Sequence, residues 1–93
     1  MARHAVRLRI EGGVQGVGYR WWALGAARSL GLDGWVRNRR DGSVEILAIG
    51  DAQAIDDMAR ACAMGPRPAR VTAVVRSAAD DDDSTGFEQK ATV

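Results

Sequence analysis

The chain is 93 residues long, 46% hydrophobic and 27% charged, with a formal net charge of +1. That is one domain's worth of sequence, residues 1–93, able to bury one modest core between two packed layers and too apolar overall to stay disordered. No apolar run approaches the roughly 18 residues of a membrane helix, and Met1 to Ile10 alternates arginine with apolar residues instead of presenting a signal peptide's apolar block; the expectation is a cytoplasmic protein with no membrane partner and, at this size, a monomer.

In chain order, Val6, Leu8 and Ile10 alternate with Arg7 and Arg9, the period of two that marks a half-buried strand. A glycine-rich stretch, Gly12 to Gly18, follows. Arg20 to Leu30 then reads as a helix with Ala23, Ala27 and Leu30 on one face and Gly31 as its C-terminal cap. Gly34 to Arg39 is a second strand, Asp41-Gly42 a hairpin signal, and Ser43 to Ile49 a third strand with Val44, Ile46 and Ala48 on one side. So short a connection makes this pair antiparallel. Asp51 caps a second helix, Ala52 to Met64, whose core stripe is Ile55, Met58, Ala59 and Cys62. Gly65-Pro66 ends it. Arg70 to Ser77 is a fourth strand, Asp80 to Asp83 a solvated turn, and Phe87 to Ala91 a short last strand. The order β-α-β-β-α-β predicts an α+β, ferredoxin-like two-layer sandwich: an antiparallel four- to five-stranded sheet with two helices on one face. That fold hosts many functions and selects none.

Charge is unevenly spread. Residues 1–40 carry eight arginines against Glu11 and Asp33, and residues 41–93 carry ten of the twelve acids. A basic half suits nucleic acid, a membrane surface or a small anionic substrate. Nucleic-acid binding on a sheet of this kind needs exposed aromatics to stack bases. The outward positions of the first strand are Arg7 and Arg9, and Ser43 to Ile49 holds no aromatic, so no specific nucleic-acid site is expected.

Gly12 to Arg20 is the most informative segment. A glycine-rich loop that leaves a strand and opens a helix can converge backbone N–H groups on an anion, with the positive end of the helix dipole behind them. Arg20 at its end can grip the same anion with a full charge. The glycine spacing matches neither GxxxxGK[ST] nor GxGxxG, which argues against nucleotide cofactors. Taken alone, the glycines read equally well as a tight turn, and Asn38 reads as a turn residue.

Two motifs together go further. Gly12-Gly13-Val14-Gln15-Gly16-Val17-Gly18-Tyr19-Arg20 fits G-x-V-Q-G-V-x-[FY]-R, and Gly34-Trp35-Val36-Arg37-Asn38 fits G-[FYW]-V-x-N, followed by Gly42-Ser43-Val44 and Gly50. From about Val6 to Val71 the sequence resembles the acylphosphatases. The resemblance implies hydrolysis of the carboxyl-phosphate bond of a small acyl phosphate to carboxylate and phosphate, by direct water attack, with no metal, no cofactor and no covalent intermediate. It implies that Gln15, Gly16, Val17, Gly18, Tyr19 and Arg20 cradle the phosphate, that Arg20 is the essential charge, and that Asn38 holds the attacking water. Acylphosphatase-like domains also occur inside larger carbamoyl-transfer enzymes of hydrogenase maturation, so an accessory anion-binding role is the competing expectation; the presence of both Arg20 and Asn38 favours the enzyme.

The remaining residues have plainer readings. Cys62, the only cysteine, is a packing residue on its helix. Tyr19 packs and is not a catalytic phenol. Trp21, Trp22 and Trp35 pack or line a pocket rim. Arg37, Arg39 and Arg40 belong to a solvated hairpin or draw in anions at long range. His4 is exposed, and Asp80 to Asp83 lacks the ligand spacing of a cation site.

Overall fold

A computed structural model describes residues 3–93. The elements are β1 (His4–Gly13), α1 (Tyr19–Ser29), β2 (Asp33–Asn38), β3 (Val44–Gly50), α2 (Ala52–Met64), β4 (Arg70–Ala78) and β5 (Phe87–Gln89). They form one five-stranded sheet in the order β4-β1-β3-β2-β5. The alternation in β1 works as expected: Leu8 and Ile10 are fully buried, Arg7 and Arg9 face out. With Val36, Val44, Ile46 and Ala48 they form the sheet's side of the core, against Tyr19, Ala23 and Ala27 of α1 and Ile55, Met58 and Cys62 of α2.

Both helix ends follow local chemistry. The Leu32 N–H reaches back to the Ala27 carbonyl and the Gly31 N–H to the Arg28 carbonyl, the paired bonds of a Schellman motif with Gly31 at φ 69°. The Asp51 side chain accepts from the Gln53 N–H at 3.2 Å and opens α2. In the β2–β3 hairpin the Asp41 carboxylate accepts from both the N–H and the hydroxyl of Ser43.

The sheet is not antiparallel throughout. β5 pairs with β2 in parallel, Gly34 opposite Phe87. The reason is geometric: β4 finishes at the end of the sheet where β2 starts, so a chain that crosses beneath the intervening strands and turns upward must run in the direction of β2. β5 also stops at Gln89, two residues short of the expected Ala91, although the Lys90 N–H still donates to the Val36 carbonyl at 2.8 Å.

The acidic stretch is fastened, not merely solvated. Arg3 donates to Asp81 at 2.6 Å and to Asp33 at 2.8 Å, the Trp35 indole N–H donates to Asp82 at 3.1 Å, and Asp33 accepts from the Gly86 N–H at 2.7 Å. These bonds hold the crossing that delivers β5 to the edge of β2.

Candidate active site

Val14 is buried in the core and anchors the loop that joins β1 to α1. Beyond it Gly16 and Gly18 take left-handed conformations, φ 74° and 80°. A Cβ at either would meet nothing within 4 Å, so glycine is required there by the backbone angle and not by crowding. Gly18 is the N-cap of α1 and offers no side-chain acceptor to the helix N-terminus. Among the described residues, no carbonyl or side chain accepts from the backbone N–H groups of Gln15 through Arg20. Consecutive free donors at a helix N-terminus with no acid in the first turn suit an anion.

The Gln15 side chain is turned to the β2–β3 hairpin. Its amide donates to the Arg39 carbonyl at 2.7 Å and the Ser43 carbonyl at 2.8 Å, binding the loop to the β2–β3 hairpin. Asn38 closes β2 opposite Val44, one residue before Arg39. It is half-buried, and its side-chain amide has no protein partner among the described residues. Gln15 thus sets the distance between the loop and the strand end that carries Asn38.

Arg20 is half-buried and has no acidic group within 4 Å among the described residues. Its one hydrogen bond is a long one, 3.4 Å to the Lys90 carbonyl. Because Lys90 is bonded to Val36, this contact leans the guanidinium toward the β2 edge, on the Asn38 side. Loop, arginine and amide therefore share one end of the sheet.

Tyr19 is buried and donates to the Cys62 carbonyl at 2.7 Å, tying the first turn of α1 to the last turn of α2. Burial holds its phenol well above the ordinary range, so it is no acid or base at neutral pH. Burial likewise pushes the Cys62 thiol up to about 12, which leaves it protonated and unreactive.

The acylphosphatase family model matches residues 6–89. The chain belongs to the acylphosphatase family. It is 46% identical over 92 residues to an acylphosphatase of Acidiphilium cryptum, covering 99% of this chain and 98% of that relative. Among solved structures, an acylphosphatase from Coxiella burnetii superposes with TM-score 0.90 at 30% identity, covering 95% of this chain and 93% of that one. The acylphosphatase from Bacillus subtilis gives 0.89 at 33% identity, covering 92% and 97%. The chain is accordingly an enzyme that hydrolyses acyl phosphates, built on the ferredoxin-like fold.

The uncovered face of the sheet carries a second, smaller cluster. Trp35 takes the packing role, one of the two expected for it: it lies with Leu47 and Ile49, under the Arg37 guanidinium 4.4 Å from its ring. Arg37 and Arg39 are not simply solvated. Both bind the buried Glu45 carboxylate, at 2.8 and 2.9 Å, and Arg7 binds its other oxygen at 2.8 Å. The register already contained a sign of this, since Glu45 lies opposite both Arg37 and Arg9.

Burial pushes the Glu45 carboxyl upward, but hydrogen bonds from Arg37 and Arg39 and their charges outweigh it, and the group ends below its ordinary 4.5. A lowered folded pKa contributes stability that is complete above the unfolded value and is lost as pH falls through the folded one. Urea midpoints should therefore drop below pH 4.5 in the wild type, and Glu45→Gln should start from a lower midpoint and show a shallower acid decline. Parallel curves for the two proteins would show that Glu45 is not the group responsible.

Proposed function

We propose that the enzyme cleaves the phosphorus–oxygen bond of an acyl phosphate by direct attack of water, without metal and without a phosphorylated or acylated intermediate. The observation that carries this reading is the run of free backbone N–H groups from Gln15 to Arg20 beside a guanidinium with no acidic partner and an amide with no protein partner. The loop and Arg20 hold the phosphoryl oxygens, and Asn38 orients the water. Phosphoryl transfer through a loose transition state needs positioning and charge more than covalent chemistry. The leaving carboxylate is a weak base and needs no general acid. Asn38 cannot take a proton at neutral pH, so a phosphoryl oxygen of the substrate accepts the proton of the attacking water. The water oxygen bonds to phosphorus as the acyl oxygen departs with its electron pair.

Hydrolysis of benzoyl phosphate in ¹⁸O water with a chelator present tests the reading. Label should appear in phosphate and not in benzoate, and Asn38→Ala should lower kcat by about 10²-fold with an unchanged melting temperature, the scale expected for losing the orientation of a reactant. Label in benzoate would place the attack on carbon and overturn the mechanism. Wild-type kcat in Asn38→Ala would remove that residue from it.

A further inference from the structure

Glu45 is a buried carboxylate in a strand that is otherwise apolar up to Gly50. A charge in such a place is costly unless it is paired. Here it is paired three times: one oxygen accepts from Arg37 Nε at 2.8 Å and Arg39 Nη1 at 2.9 Å, and the other from Arg7 Nε at 2.8 Å. Packed apolar side chains can often replace a cluster of this kind without loss of stability, so stability alone gives no reason for an acid at this position. Its partners do. Arg37 and Arg39 are the two chain neighbours of Asn38. Their shared hold on Glu45 turns both to the uncovered face of the sheet, where Arg37 also lies over Trp35. Strand alternation turns Asn38 the other way, with the core residue Val36, toward the helices and the glycine-rich loop. We propose that Glu45 is a positioning residue for the hydrolysis: from the uncovered face it clamps both neighbours of Asn38 and so fixes the direction in which the Asn38 amide holds the attacking water. The proposal rests on the role given to Asn38 under the proposed function.

The place of Asn38 in the fold explains why a clamp is needed. It is the last residue of β2, and beyond it the chain turns through the exposed residues Arg40 to Gly42. Strand ends open more readily than strand centres. An amide that orients a reactant loses its effect when the backbone beneath it tilts by about an ångström. Guanidinium donors on a carboxylate make hydrogen bonds roughly twice as strong as neutral ones, which suits the task of holding such an end still. The glycine-rich loop depends less on this clamp. Its Gln15 amide bonds the Arg39 carbonyl but also the Ser43 carbonyl, next to β3, so the loop stays seated when Arg39 is released.

The test measures kcat and KM for benzoyl phosphate, and inhibition by inorganic phosphate, in the wild type, Glu45→Gln, Arg39→Met, Asn38→Ala and the double variant Glu45→Gln/Asn38→Ala, at a temperature below the melting onset of each. Glu45→Gln replaces one acceptor oxygen with an amide nitrogen that cannot accept from a guanidinium. Arg39→Met removes one arm of the clamp at a side chain that is 39% exposed, so it keeps the proposal testable should Glu45→Gln not fold. Each should lower kcat about tenfold, less than the loss in Asn38→Ala, and leave KM and phosphate inhibition within about twofold. The loss should be the same at low and high ionic strength. Adding Glu45→Gln to Asn38→Ala should change kcat by less than about twofold, because the residue that the clamp serves is gone. Wild-type kcat in folded Glu45→Gln or in Arg39→Met, with Asn38→Ala impaired, would overturn the proposal and leave the hydrolysis mechanism standing. So would a tenfold loss that persists in the Asn38→Ala background, or a loss confined to KM that fades with salt, the sign of arginines that only attract the substrate. Wild-type kcat in Asn38→Ala would instead remove Asn38 from the mechanism, and the proposal with it.

Discussion

Arg20→Gln is expected to lower kcat for benzoyl phosphate by at least ~10², the scale for deleting one electrostatic stabiliser of a transition state. The glutamine keeps donors and comparable reach but loses the charge. The backbone N–H groups of the loop are neutral dipoles, so in the proposed mechanism Arg20 is the one full positive charge that the segment Gly12 to Arg20 brings to the phosphoryl oxygens. Its guanidinium is held by a single 3.4 Å bond to the Lys90 carbonyl and no carboxylate among the described residues, so little folding energy depends on it. The melting temperature should stay within a degree or two while activity collapses, and inhibition by inorganic phosphate should weaken in parallel. Arg20→Lys should recover only part of the rate, because an ammonium cannot present two parallel donors to a phosphoryl group. Turnover close to wild type in Arg20→Gln would remove the arginine from the mechanism.

Gly34→Ala should be the most damaging small substitution for stability. Gly34 sits in β2 at φ +126°, outside the range side-chain-bearing residues favour. A Cβ there would lie 1.9 Å from the Leu47 carbonyl oxygen and 2.9 Å from its carbon, both backbone of the neighbouring strand. Backbone cannot rotate away as a side chain can, so β2 must move off β3, and β5 with it, because the Gly34 N–H also donates to the Gly86 carbonyl. Strain in the dihedral and overpacking together amount to about 3 kcal/mol or more. For a domain of this size that corresponds to a fall in melting temperature of ~12 °C or more. A loss below about 3 °C would mean the strand pair tolerates a displacement that its register does not suggest.

Gly34 also illustrates how much could be read in advance. As a letter in the sequence it marked the start of a strand, and its role in admitting a neighbouring backbone depends on Leu47, which only the pairing brings near. Strands and helices were legible because their signals are local: the alternation of Val6 to Ile10, the stripe Ile55, Met58, Cys62, the Asp51 cap and the Asp41-Gly42 turn each lie within a few residues. The direction of β5 was not local, since it follows from where β4 ends at the opposite edge of the sheet. The tie of Arg3 to Asp81 and the capture of Arg7, Arg37 and Arg39 by Glu45 join segments that no periodicity connects. For the site, the loop and its glycines could be recognised because they are contiguous. That the Gln15 amide binds the hairpin could not, because its acceptors lie 24 and 28 residues further along.

Tyr19 is the only tyrosine in the chain, and it stands between the N-cap glycine of α1 and Arg20. Burial keeps its phenol protonated well beyond the ordinary value of 10.0. An unfolded chain releases that proton first, so stability is undiminished below the ordinary value and declines as pH rises past it. Because no other phenol contributes, near-ultraviolet absorbance of phenolate in alkaline solution is silent while the first turn of α1 is seated on Cys62 and rises as that turn comes away. The molecule carries a built-in optical gauge of whether the first turn of α1 is docked on α2, one that requires neither label nor substrate.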